Sequence, residues 1–145
     1  MTKTYYESDA DLAVLSGSTV GVLGYGNQGR AQALNLRDSG VRVIVGNVRD
    51  ESWDRACQDG FETLPMAEAA ERAEVLMLLV PDEVQREVYQ RELATRFRPG
   101  QALSFAHGYN IRYQLIQPPP SLDVVMVAPR CLLYTSPSPR DRTRS

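Results

Sequence analysis

Cysteine, histidine and long apolar runs are all scarce in this chain of 145 residues. Its two cysteines, Cys57 and Cys131, make neither a disulfide framework nor a metal-ligand cluster. The only histidine is His107. The longest uninterrupted apolar run, from Val75 to Val80, stops at Pro81, whereas a membrane span needs about 20 such residues. The opening MTKTYYESDADL is acidic and polar and lacks the apolar stretch of a secretory signal. Charge of one sign is also lacking: 16 basic against 18 acidic side chains leave a net charge of -2. That balance gives no electrostatic reason to expect nucleic acid or an anionic membrane as partner. What is present is ordinary for a folded protein, with 43% apolar and 23% charged residues, which excludes disorder of the whole chain. The expectation is one soluble, cytoplasmic domain with a real core.

Strand and helix patterns alternate along the chain. Thr19–Leu23 is an apolar run ahead of a glycine cluster, consistent with a buried strand. From Asn27 to Asp38 the apolar positions fall at helical spacing, and Gly40 stands where a helix ends. Val41 to Val45 is a second strand, and Glu51 to Gln58 a helix closed by Asp59-Gly60. Pro65 opens a short helix through Ala73, proline being favoured in a first turn. Val75 to Val80 reads as a strand buried on both faces. Pro81-Asp82-Glu83 starts a helix running to about Phe97, and strands follow at Ala102 to Ala106 and Leu122 to Ala128. This order predicts an α/β fold of the Rossmann type, a doubly wound and mainly parallel sheet.

Gly24-Tyr25-Gly26-Asn27-Gln28-Gly29 fits G-x-G-x-x-G between a predicted strand and a predicted helix. In that setting the first glycine makes a tight turn and the second lets a pyrophosphate approach the backbone. The third lets helix and strand pack closely. The free N–H groups and dipole at the helix start favour the anion. After the second strand, Arg49 is suited to a 2′-phosphate, while Asp50 and Glu51 repel one and accept ribose hydroxyls. Asp50 and Glu51 equally suit a helix cap. Pro81-Asp82-Glu83-Val84-Gln85 follows the third long strand at the carboxyl edge, where open α/β sheets bind ligands, and also suits a plain helix start. A lone histidine is usually structural or solvated, but His107 ends the next strand on the cofactor side beside Gly108, which opens space, and that placement raises the weight of a catalytic role. Cys57, mid-helix without a basic partner, is expected to pack or face solvent.

The last fifteen residues, CLLYTSPSPRDRTRS, break the pattern, and without them the net charge falls to -4. One reading is a disordered basic tail. The other is a codon-by-codon translation of a sequencing-library transposase adaptor, joined after Arg130. The domain is then expected over residues 1–130 and a foreign tail over 131–145. Resequencing intact genomic DNA decides between them, since recovery of the same fifteen codons would remove the adaptor reading.

Several stretches together resemble one family. VGVLGYGNQGRAQALNLRDSGVRVIVGN, LLVPDEVQREVYQREL, ALSFAHGYNI and PPPSLDVVMVAPR are similar, in that order, to the N-terminal domain of ketol-acid reductoisomerase (acetohydroxy-acid isomeroreductase). The resemblance spans residues 2–130. It implies migration of a methyl or ethyl group in 2-acetolactate or 2-aceto-2-hydroxybutyrate, assisted by two Mg²⁺, followed by nicotinamide reduction to a 2,3-dihydroxy acid of the valine and isoleucine pathway. It also implies that Tyr25, Gly26, Asn27 and Gln28 form the pyrophosphate loop and that Ser52 touches ribose or phosphate. Asp82, Glu83, Val84 and Gln85 form a second cofactor loop, and His107 is the active-site histidine, moving a proton or ordering substrate and water. The family usually has His at Arg30 and a longer, less acidic loop than Gly46 to Trp53. It continues into a helical domain that carries the metal-binding carboxylates and most dimer contacts. That domain has no counterpart in this sequence. No metal ligand is therefore assigned in residues 1–130, and the chain alone is expected not to isomerise acetohydroxy acids. The cofactor is expected to be NADP or NAD, leaning towards NADH or dual use. Mg²⁺ and homo-oligomerisation are expected only with the helical domain. Other Rossmann oxidoreductases, or a non-catalytic dinucleotide-binding module, are the alternatives.

Overall fold

The computed structural model describes residues 2–128; the boundary at Arg130 and the tail 131–145 lie outside them. Six strands form one sheet: β1 (Thr19–Leu23), β2 (Arg42–Gly46), β3 (Glu62–Leu64), β4 (Val75–Leu78), β5 (Ala102–Phe105) and β6 (Asp123–Met126). Their order is β3-β2-β1-β4-β5-β6 and every pairing is parallel, so the sheet is wholly and not just mainly parallel. Central β1 lies between β2, where Val22 faces Val45, and β4, where Leu23 faces Leu78. The chain reverses direction across the sheet between β1 and β4, which opens a crevice at their carboxyl ends.

Alternation along the strands divides the core in two. Val22 and Val45 point to one face, with Ala33 of α1 (Asn27–Asp38) and Ala56 of α2 (Glu51–Gln58). Leu23 and Ile44, their neighbours in sequence, point to the other. There they meet Ala69 and Ala70 of α3 (Met66–Arg72), and the same core takes in Tyr89 and Leu93 beyond α4 (Asp82–Val88). Helices therefore cover both faces, as the doubly wound reading requires.

Three elements differ from expectation. β3 has no counterpart in the sequence reading, because three residues beginning with Glu62 carry no recognisable apolar run. The helix after Pro81 does not continue as one α-helix to Phe97. Beyond Val88 it widens into a π-helical turn over Tyr89–Leu93, with Ala94 N–H donating to Tyr89 O at 2.8 Å, and Tyr89 and Leu93 buried. A short helix, α5 (Tyr109–Arg112), follows His107. Among the described residues β6 is an outer strand, and all four of its residues are exposed.

Candidate dinucleotide site

At the carboxyl edge of the sheet a cleft of about 790 Å³ is lined by the Gly24–Gln28 loop after central β1, with Asp50 and Ser52 after β2 to one side and Pro81, Asp82 and His107 after β4 and β5 to the other. This size suits a ligand larger than a single small metabolite. The three loop glycines have separate reasons to be glycine. Gly24 has φ +97°, the left-handed region, and a Cβ there would press on Val80. At Gly26 a Cβ would meet nothing within 4 Å, so the backbone there is open to an approaching group. At Gly29 a Cβ would lie 2.0 Å from the Gly24 carbonyl oxygen, which leaves room for hydrogen only. Gly26 caps α1 without any side-chain bond, so the first N–H groups of that helix remain available to an anion. The cradle fits a dinucleotide pyrophosphate.

Tyr25 contributes to the cleft through the loop, but its side chain is tied on the other side of it. The ring is 1% exposed, packs edge-on against Phe61 at 5.9 Å, and its hydroxyl donates to Asp59 Oδ2 at 2.7 Å. Burial and the neighbouring carboxylate both push the Tyr25 phenol above its ordinary value. Hydrogen bonds from Arg30 and then Tyr25 hold the Asp59 carboxyl down, from the ordinary 3.8 to about 2. Because its folded-state value is lowered, Asp59 stabilises the fold above about pH 4, and that contribution disappears as the pH falls towards 2. Asp59→Asn is therefore expected to flatten the loss of stability on this acid side. Urea midpoints at stepped pH values check it, and equal slopes in both proteins would contradict it.

The loop after β2 does two things at once. Asp50 Oδ1 accepts from Ser52 N at 2.9 Å, Trp53 N at 3.1 Å and Asn47 Nδ2 at 2.9 Å, so Asp50 caps α2. It also lines the cleft, as does Ser52. Glu51 is exposed in the first turn of α2 and does not line it. Arg49 lies over the Trp53 ring, 4.5 Å from its centroid, in an adjoining recess of about 470 Å³. Asn47, which sequence reasoning passed over, is buried and lines both spaces. A buried polar residue in a short loop was its only signal.

On the opposite lip, Asp82 and Val84 line the cleft while Glu83 does not. Gln85 is 2% exposed and holds the lip together: its Nε2 donates to Val80 O at 2.9 Å and to Asp82 Oδ1 at 3.2 Å. Asn110, also missed in the sequence, donates to Asp82 O at 3.1 Å and to Gln85 Oε1 at 3.0 Å. These bonds tie the loop carrying His107 to the start of α4. His107 is exposed at the cleft, and its Nδ1 accepts the Tyr109 N–H at 3.1 Å. The neutral ring then carries its proton on Nε2. Asp82 Oδ2 stands 3.7 Å from Nδ1, too far for a hydrogen bond.

Among the described residues no three His, Cys, Asp or Glu side chains come together to hold a metal ion, so these residues do not fit the Mg²⁺ of the resemblance. Cys57 is exposed and free. No helix among the described residues is long and apolar enough to cross a membrane.

Residues 14–133 match the family described as "Acetohydroxy acid isomeroreductase, NADPH-binding domain". A solved NADH-preferring ketol-acid reductoisomerase from an uncultured archaeon is similar at TM-score 0.87 and 41% identity, over 90% of this chain and 41% of that one. The chain thus spans about two fifths of the length of that enzyme. An NAD-binding semialdehyde dehydrogenase protein from Cupriavidus necator, solved with calcium and NAD, is similar at TM-score 0.67 and 22% identity, over 86% of this chain and 46% of that one. The Mycobacterium tuberculosis 3-hydroxyisobutyrate dehydrogenase is similar at TM-score 0.62 and 19% identity, over 77% of this chain and 40% of that one. Those last two show the fold alone.

Proposed function

The chain belongs to the acetohydroxy acid isomeroreductase family as its NAD(P)-binding domain, and from that premise we propose that it serves an enzyme reducing acetohydroxy acids after alkyl migration. The observation that carries the proposal is the glycine cradle at the end of β1, opening into one cleft that reaches His107. The chemistry a nicotinamide would supply here is a hydride for the ketone carbon of the rearranged 2-keto acid, whose oxygen would then need a proton from the chain. The loop Gly24–Gln28 would hold the pyrophosphate on the start of α1, and Ser52 and Asp50 would meet the adenosine ribose. Asp82 and Val84 border the cofactor from the other lip. His107 holds a proton at Nε2, with Nδ1 occupied by the Tyr109 N–H, and so is suited to donate. The Mg²⁺ ligands belong to the remaining length of such enzymes. A homo-oligomeric, cytoplasmic full-length enzyme is part of the same proposal. Titrating the 145-residue chain with NADH tests it, because Trp53, the only tryptophan, lines the recess adjoining the cleft. Saturable quenching of Trp53 emission is expected, and its absence would overturn the reading.

We further propose NADH or dual use over strict NADPH use. The similar archaeal enzyme is described as NADH-preferring. Asp50 is held at the cleft by three donors, where its charge opposes a 2′-phosphate and its free Oδ2 can accept a ribose hydroxyl. Arg49 is engaged with Trp53. Asp50→Ser keeps a capping side chain and removes the charge, so it is expected to shift the NADH/NADPH ratio of Kd about tenfold towards NADPH. Glu51→Ser is expected to shift it less than about twofold, an exposed charge being well screened. Strong NADPH preference in the wild type, unmoved by the Asp50→Ser, Glu51→Ser double variant, would show that neither acid reads the cofactor.

A further inference from the structure

Behind the glycine loop, on the face away from the cleft, three parts of the chain converge on Asp59. This residue ends α2. Its carboxylate accepts the Tyr25 hydroxyl at 2.7 Å, Arg30 Nε at 2.8 Å and Arg30 Nη2 at 3.2 Å, and its carbonyl accepts from Arg37. Tyr25 belongs to the loop, and Arg30 and Arg37 to the first and last turns of α1. Neither Asp59 nor Arg30 lines the cleft. Tyr25 is the only residue with a side chain between Gly24 and Gly26. The Gly24 N–H is held by Gly46 O and the Gly26 carbonyl accepts the Arg30 N–H, and between these two ties the Tyr25 side chain adds the restraint that flanking glycines cannot supply.

The anchor is specific in direction as well as strength. Phe61 fixes the plane of the Tyr25 ring, and Asp59 fixes its far end. Arg30 pairs with the same carboxylate, so loop and helix start are gripped together. We propose that Asp59 is a positioning residue for the dinucleotide pyrophosphate: by holding Tyr25 and Arg30 it sets the directions of the loop N–H groups before ligand arrives. This rests on the dinucleotide reading above. Donors already aimed at an anion spare the ligand the cost of ordering them, so loosening the anchor weakens binding without removing any contact to the ligand.

The test compares NADH with adenosine, which lacks the pyrophosphate and the nicotinamide riboside beyond it, using the 145-residue chain. Tyr25→Phe removes only the hydroxyl and keeps the ring on Phe61, while Asp59→Ala removes the carboxylate that holds both Tyr25 and Arg30 and leaves the backbone carbonyl that accepts from Arg37. The Kd for NADH, followed through Trp53, is expected to rise about fivefold in Tyr25→Phe and about tenfold in Asp59→Ala. The Kd for adenosine, which carries no phosphate, is expected to stay within about twofold of wild type in both. Equal weakening of both ligands, or an unchanged Kd for NADH beside a lowered Tm, would reduce Asp59 to a structural helix end and overturn the inference. A wild-type chain that binds no NADH overturns the dinucleotide reading and this inference with it, whereas variants that bind NADH as well as wild type overturn the inference alone.

Discussion

Gly29→Ala is expected to destabilise the domain by about 3 kcal/mol or more, the largest effect of any single methyl added to the loop. The added carbon would stand 2.0 Å from the Gly24 carbonyl oxygen and 3.0 Å from its carbon, and both are backbone atoms with no rotamer to change. Relief requires α1 to move away from β1, which opens the layer where Val22 packs with Ala33. Gly26→Ala is the control, since its Cβ meets nothing within 4 Å and its φ of -76° is ordinary for alanine. It is expected to change stability by less than about 1 kcal/mol while still weakening NADH, because the methyl occupies the open approach to the backbone. Urea unfolding of both variants measures the contrast. A Gly29→Ala protein within 1 kcal/mol of wild type would show that the helix start yields more easily than close packing allows.

Replacing His107 with glutamine in a full-length reductoisomerase carrying this domain is expected to lower kcat about 100-fold while leaving the KM for cofactor within about twofold. Glutamine keeps a polar group at the cleft but cannot release a proton from its amide. The glycine cradle follows β1 and His107 follows β5, with β4 between these two strands, so the substitution leaves the cradle as it is. Steady-state rates with 2-acetolactate under saturating NADH measure the turnover, and a Trp53 titration measures binding separately. An unchanged kcat would return His107 to the role of an exposed loop residue whose ring merely accepts the Tyr109 N–H.

The elements that position the site were legible because each announces itself locally. The apolar run Thr19–Leu23, the glycine spacing that follows and the helical pattern to Asp38 all lie within twenty consecutive residues, and the observed bounds of β1 and α1 agree with them. Asp59 was not legible as an anchor. In the sequence it closes a helix with Gly60, and only folding brings it to Tyr25, thirty-four positions earlier. Gln85 and Asn110 are similar, ordinary polar residues until β4 and β5 bring their loops side by side. In the sequence Asp50 reads equally as helix cap or cofactor contact, and the cap it makes does not exclude the contact. One of its oxygens takes three donors while the residue still lines the cleft. The end of α4 was misjudged because a continuous helical pattern does not reveal a widened turn.

The placement of β1 at the centre of the sheet has a consequence for the order of assembly. Val20 pairs with Val43 on one side and with Val75 on the other. The strand that carries the glycine loop therefore gains its second partner only when a segment from much later in the chain has arrived. During synthesis from the N-terminus, β1, α1 and β2 emerge with one flank of β1 unpaired, and Leu23 waits for Leu78. Closing such distant parallel pairs is slow compared with local helix or hairpin formation. Nascent chains arrested before residue 75 are thus expected to be protease-sensitive throughout, with resistance appearing in one step once β4 has cleared the ribosome.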